Sequence, residues 1–260
     1  MILNKMLSSL SNPVIYEADW FEETPLNSLI GKELKIRFNG IYFCQVCKKQ
    51  SKKLFGEAFC YSCFSSSAQA SPCILKPELC QAHLGIGRDI DWEEKNHNQP
   101  HVVYLAGTDT VKVGVTRKTQ IPTRWIDQGA SSVIVFAETT NRYEAGIIEV
   151  ALKEFYTDKT NYKKMLLNDI DTAIDLIEEK WSTAEDLPSD LCQFMSDNDE
   201  ITQINYPVVK FPNSIQMLNL EKQNQFSGIL TGIKGQYLIF DNDFVFNVRR
   251  HSGFEVDINF

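Results

Sequence analysis

From Gly31 onward, apolar and polar positions begin to alternate. Leu34, Ile36 and Phe38 interleave with Glu33, Lys35 and Arg37, a period of two that predicts a half-buried strand. Asn39-Gly40 follows, a pair suited to a two-residue hairpin turn, and Ile41-Tyr42-Phe43 predicts the returning strand. Strand-like runs also close the chain at 228–231, 236–240 and 244–248, separated by Gly232 and Gly235 and by Asp241-Asn242-Asp243. Their likeness to residues 31–43 predicts that the two ends meet in one small antiparallel sheet or barrel. Residues 1–30 mix polar positions with Tyr16, Trp20 and Phe21 in no steady period.

The middle of the chain changes period. Past the acidic connector 89–100, residues 101–106 predict a strand, 107–110 a turn, 111–115 a second strand and 133–137 a third. Residues 142–156 then take a helical pattern, with Ala145, Ile148 and Leu152 on one face. The clearest amphipathic helix is expected over 165–181, where Leu166, Ile170, Ala173, Ile174, Ile177 and Trp181 line one stripe opposite acids. The small polar run 65–72 predicts a loop, and 186–205 a loop with a weak helix. The fold class expected is α+β. Residues 1–43 would be a β segment pairing with the C-terminal strands, 44–100 a metal module and connector, 101–185 an α/β domain, and 186–260 a linker and C-terminal β segment.

Composition adds constraints. A chain of 260 residues suffices for one large or two modest domains. No apolar run approaches a membrane span, and the first thirteen residues lack the apolar core and cleavage site of a leader. A cytoplasmic protein with no membrane partner is expected. The net charge of −8 argues against a chain coated in nucleic acid. The charge is uneven, however: residues 32–83 hold eight Lys/Arg against three Asp/Glu, whereas 165–200 hold eleven acids and one lysine.

Six of the seven cysteines crowd into residues 44–80. Cys44-x2-Cys47 and Cys60-x2-Cys63 form two knuckles, each able to aim two thiolates at one point. Together they supply the four soft ligands of a tetrahedral structural zinc at about 2.3 Å. The alternative is four buried or disulfide-bonded cysteines. An odd count and this crowding favour metal in a reducing compartment. Cys73, Cys80 and His83 follow as C-x6-C-x2-H, a candidate second zinc site if His97 or His101 completes it; otherwise they are core residues. Cys192 lies apart in the acidic stretch.

Residues 102–161 resemble the GIY-YIG nuclease domain. Val102-Val103-Tyr104 stands in the place of Gly-Ile-Tyr, and Lys112-Val113-Gly114 in that of Tyr-Ile-Gly. Arg124 stands near the family arginine, and Glu144-Ala-Gly-Ile-Ile-Glu149 matches the helical E-A-x-x-x-E run, with Asn161 near a family asparagine. The resemblance implies a three-stranded antiparallel sheet with helices, and Tyr104, Lys112, Arg124 and Glu149 on a common surface. It implies that Arg124 supports a phosphate, Glu149 holds magnesium or manganese and Tyr104 helps activate the nucleophile. Gly114 would let the backbone turn close to the site. Lys112 departs from the family tyrosine and is a poor base unless burial lowers its pKa. A divalent-metal-dependent endonuclease lacking that tyrosine, and a binding module on the same scaffold, are both open.

The wider chain is similar to the uncharacterised bacterial family named domain of unknown function 2797. The similarity rests on HVVYLA (101–106), VKVGVTR (111–117), TRWIDQGA (123–130), the cysteine pairs and the 232–256 region. Within 123–130, Arg124 offers a fork for phosphate and Gln128 an amide for a base edge. Trp125 either offers a stacking face or is buried in a short helix ending at Gly129. Arg117, Lys118 and Asn161 complete the candidate nucleic-acid contacts. Arg249-Arg250-His251 is either another phosphate contact or a charged sheet edge. Two partners follow. One is nucleic acid, which a basic groove from Lys48, Lys49, Lys52 and Lys53 to Arg117, Lys118 and Arg124 would favour. The other is a protein partner docking on the acidic 165–181 helix of a non-enzymatic, zinc-stabilised scaffold.

Overall fold

The alternation at Leu34, Ile36 and Phe38 does produce a strand in the computed structural model, which describes residues 1–21, 25–156 and 161–260. The strand is longer than expected, Glu33–Phe43, and runs straight through Asn39-Gly40. The hairpin expectation is therefore corrected. Both halves pair with one neighbour, Phe254–Asn259, in a register that slips from Val256↔Phe38 to Phe254↔Tyr42. The extra residues bulge out, with Gly40 at φ +79°, a conformation open to glycine. A hairpin would have required the halves to pair with each other.

Gln225–Lys234 lies on the other side of this strand, followed by Tyr237–Phe240, Phe244–Asn247 and Gln216–Met217. The chain ends thus meet in one sheet, as expected; the last pair, Gln216–Met217 with Phe244–Asn247, is parallel.

The second sheet orders Val111–Arg117, His101–Gly107, Ser132–Thr139 and Ile201–Gln203, all antiparallel among the described residues. The first three strands match expectation. The fourth is only three residues long, too short for its alternation to register against a loop. The two faces of this sheet have different fates. Val103, Leu105, Val113 and Phe136 pack under Ala145, Ile148 and Leu152 of the helix Arg142–Leu152. Val102, Tyr104 and Ala106 point the other way, into a core shared with Leu34, Ile36, Leu230 and Phe246 of the terminal sheet. Tyr104 therefore faces the interior between two sheets.

The long helix expected over 165–181 is two helices, Tyr162–Leu166 and Leu176–Glu185. Asn168 adopts φ +59° after the first, and the Asp175 carboxylate accepts from the Ile177 and Glu178 amides to start the second. The break lets Met165 and Leu166 pack on Ile239 and Val245 of the terminal sheet, while Leu176 joins the core of the second sheet. Among the described residues no helix is long and apolar enough to cross a membrane.

Candidate metal centres and basic groove

Cys44 directly follows the strand Glu33–Phe43, so the first cysteine module hangs from the end of the terminal sheet. The sulfurs of Cys44, Cys47, Cys60 and Cys63 lie within 4.8 Å of one another, and all four cysteines are free. Lys48, in the place after the second cysteine, takes φ +58° and donates its amide to the Cys44 carbonyl at 2.9 Å, closing the knuckle without glycine. Burial alone would raise the pKa of Cys44. The amides of Cys60, Cys47 and Val46 overcome it and bring the thiol down to about 6. Cys63 is pushed up to about 12 by burial and by the neighbouring sulfurs. Four convergent soft donors that cannot all ionise unaided can hold a metal ion such as zinc.

Cys73, Cys80 and His97 form a second buried group, also within 4.8 Å, with Cys73 Sγ 3.8 Å from His97 Nδ1. Here the placement differs from the C-x6-C-x2-H expectation, because His97 rather than His83 stands with the two sulfurs. His83 stacks on Tyr143, ring centroids 4.7 Å apart. His101 is fully buried, with Nδ1 2.7 Å from the Gln99 carbonyl oxygen, and burial pushes its pKa down to about 4. The Cys80 thiol is drawn down to about 4 by hydrogen bonding with Cys73, against burial, helped by His97 and the Ala82 amide.

The nuclease-like residues are brought near one another only in part. Residues 157–160 of that segment lie outside those described. The Tyr104 hydroxyl donates to Gln128 Oε1 at 2.5 Å. Burial pushes the phenol up to about 12, partly offset by the Arg124 guanidinium and reinforced by Glu149. Tyr104 lies on the strand His101–Gly107 with its ring toward the terminal sheet, and Glu149 lies on the helix Arg142–Leu152 packed against the other face; both Glu149 and Arg124 are nonetheless near enough to act on the phenol. Glu149 is buried and paired with Lys153 at 3.2 Å. Among the described residues it joins no cluster of three or more metal-ligating side chains. Lys112 is buried at the far end of the hairpin, 2.9 Å from Asp109, which also lies 3.6 Å from Lys164. Gly114 serves as space: a Cβ there would come within 2.6 Å of the Tyr104 Cζ and hydroxyl.

Other expected contacts are occupied structurally. Trp125 sits in a short helix, Thr123–Asp127, with its ring buried, so it offers no stacking face; Gly129 follows at φ +74°. The Asn161 side chain caps the helix Tyr162–Leu166, accepting from the Lys163 and Lys164 amides. Lys118 pairs with Glu138 at 2.5 Å. His251 is internal, held between the Asn247 carbonyl and the Leu220 amide.

A groove of about 800 Å³ runs between the two cysteine-containing segments, the second sheet and the terminal sheet. Its cations are Lys5, Lys48, Arg117, Arg124, Arg142 and Arg249, and its acids Glu57 and Asp127. Asp127 pairs with Lys5 at 3.5 Å and Glu57 with Arg249 at 2.5 Å. Arg117 donates to Asn96, and Arg142 to the carbonyls of Cys73 and Ile74 at 3.0 and 2.9 Å. Arg124 closes no ion pair among the described residues. Lys48, Arg117 and Arg124 were foreseeable from charge runs. Lys5 and Arg142 were missed; Arg142 opens the E-A-x-x-x-E helix, but nothing local marks Lys5. A concavity of about 900 Å³ elsewhere, lined by Lys35, Arg37, Phe226 and Phe244 among others, includes none of these groups.

Neither the comparison with curated proteins nor that with solved structures found a match. Over residues 31–256 the chain matches the model of the family described as Protein of unknown function (DUF2797), and it belongs to that family.

Proposed function

We propose that this chain is a zinc-containing nucleic-acid-binding protein, built on a GIY-YIG-like sheet whose phosphodiesterase chemistry is degenerate. The observation that carries this reading is the groove, where six cations from distant parts of the chain meet two acids already engaged with two of them. Such a concavity concentrates positive potential in a chain of net charge −8. Binding is favoured over cleavage on three grounds. Tyr104 is sealed between the sheets with its hydroxyl committed to Gln128. Lys112 is engaged with Asp109 at the hairpin end. A magnesium or manganese ion at Glu149 would have to compete with the Lys153 ammonium.

Fluorescence anisotropy with single- and double-stranded DNA and RNA across a salt series tests the proposal. Affinity should fall steeply with salt. Arg124→Ala should weaken binding roughly five- to tenfold and lower the salt slope by about one. Glu149→Gln, which removes an anion, should not weaken it. Salt-independent binding, or an unchanged slope in Arg124→Ala, rejects the groove. Magnesium- or manganese-dependent cleavage by the wild type or by Lys112→Tyr would replace the binding reading with the nuclease one.

A further inference from the structure

Residues 68–97 are a poor candidate for folding by burial. They form short turns, Ala68–Ala70, Pro72–Ile74, Pro77–Leu79 and Ala82–Leu84, before the helix Ile90–His97. Their larger apolar side chains point outward: Leu75 is 85% exposed, and Leu79, Leu84, Ile86 and Ile90 are between 53% and 60% exposed. The local core consists of Cys73, Cys80 and Ala82 with Tyr143 against them. So small a cluster supplies too little buried apolar area to order thirty residues. Segments of this kind are held by cross-links or by metal, and the cysteines here are free.

We propose that Cys73, Cys80, His83 and His97 bind a second structural zinc ion, which clasps this segment to the helix Arg142–Leu152. Three of the donors already converge within 4.8 Å, Cys73 and Cys80 from two short turns and His97 from the end of the helix Ile90–His97, all of them buried. His83 follows Cys80 by the knuckle spacing, and its Nδ1 is buried without a hydrogen-bond partner, a costly state that ligation would relieve. Two thiolates and two neutral imidazoles make a neutral centre with Zn²⁺, which suits burial better than free thiolates do. The helix is tied in at two points. Arg142 donates to the carbonyls of Cys73 and Ile74, in two successive peptide units. Gly146 lets the helix approach so closely that any side chain there would overlap the Pro77–Glu78 peptide. Since His97 and Arg142 both line the groove, the ion would brace one of its walls.

Zinc analysis and X-ray absorption on the full chain, purified under reducing conditions, test this independently of any nucleic acid. The wild type should carry two equivalents of zinc, with on average about three sulfur and one nitrogen ligands per ion at roughly 2.3 and 2.0 Å. One equivalent in an all-sulfur shell would overturn the proposal without needing a folded variant. Cys73→Ser/Cys80→Ser should lose one equivalent, shift the remaining shell to sulfur alone and speed hydrogen exchange of the 142–152 amides. Retention of both equivalents overturns it. His83→Ala should lower the nitrogen count; an unchanged count removes His83 as the fourth ligand.

Discussion

Tyr104 and Gly114 share one space. They face each other across two strands, and the phenol head occupies the place a side chain at 114 would need. The ring is fully buried and cannot swing aside. Gly114→Ala should therefore cost about 1–3 kcal/mol through overpacking, measurable by urea unfolding. Tyr104→Phe should recover part of that loss when combined with it, because the hydroxyl is one of the two atoms at 2.6 Å. Tolerance of alanine without loss would mean that the two residues do not touch. The sequence showed both residues, and the strands that carry them, through their order and spacing. It could not show that they meet, because that depends on cross-strand register. Nor could it show that the Tyr104 face is covered, because the covering residues, Leu34 and Phe246 among them, lie far away in the chain. Trp125 illustrates the same limit: its neighbours Arg124 and Gln128 are polar, yet its ring is claimed by the core.

At the level of elements, strands were legible where apolar runs were bounded by turn residues, while the alternating Phe254, Val256 and Ile258 formed a strand that was not foreseen, and the helix Arg142–Leu152 was legible from Ala145, Ile148 and Leu152. The misreadings share a cause: a local pattern was satisfied by two partners instead of one. Asn39-Gly40 bulges because one long neighbour serves both flanks. The 165–181 stripe breaks because Leu166 and Leu176 belong to different cores. Asp175 distinguishes one helix from two by the sign of its effect. As an N-cap, its replacement by alanine should cost about 1 kcal/mol, and Asp175→Ser should keep most of the stability. Inside a continuous helix the same alanine would stabilise by roughly 0.5 kcal/mol. Chemical denaturation of the two variants decides between them.

At the scale of the whole molecule, Lys234 shows how the parts hold together and what that costs. It ends the strand Gln225–Lys234, and its ammonium bonds Asn168 at 3.0 Å, in the turn between the two split helices. It also lies 5.3 Å from the Tyr206 ring and 5.6 Å from that of Phe211, on the segment linking the sheets. Burial lowers its pKa to about 8. An unfolded lysine titrates near 10.4, so between about pH 8 and 10.4 the unfolded chain holds more protons and stability from this group rises with pH. Below pH 8 the charge is present in both states and the burial cost is complete, at most about 3 kcal/mol. Lys234→Met should accordingly stabilise the protein at pH 7 by about 1–3 kcal/mol, less whatever the two aromatic rings return. The advantage should shrink steadily as pH rises past about 8. Measuring the difference between variant and wild type at each pH cancels the other titrating groups, including the buried Tyr16 and the half-buried Tyr206, whose pKa values are raised. A constant difference across that range would mean that Lys234 titrates normally and that its amine reaches water. A loss of stability in Lys234→Met would mean that the ammonium's bond to Asn168 and its contact with the rings outweigh its desolvation, and that the charge helps to hold the three segments together.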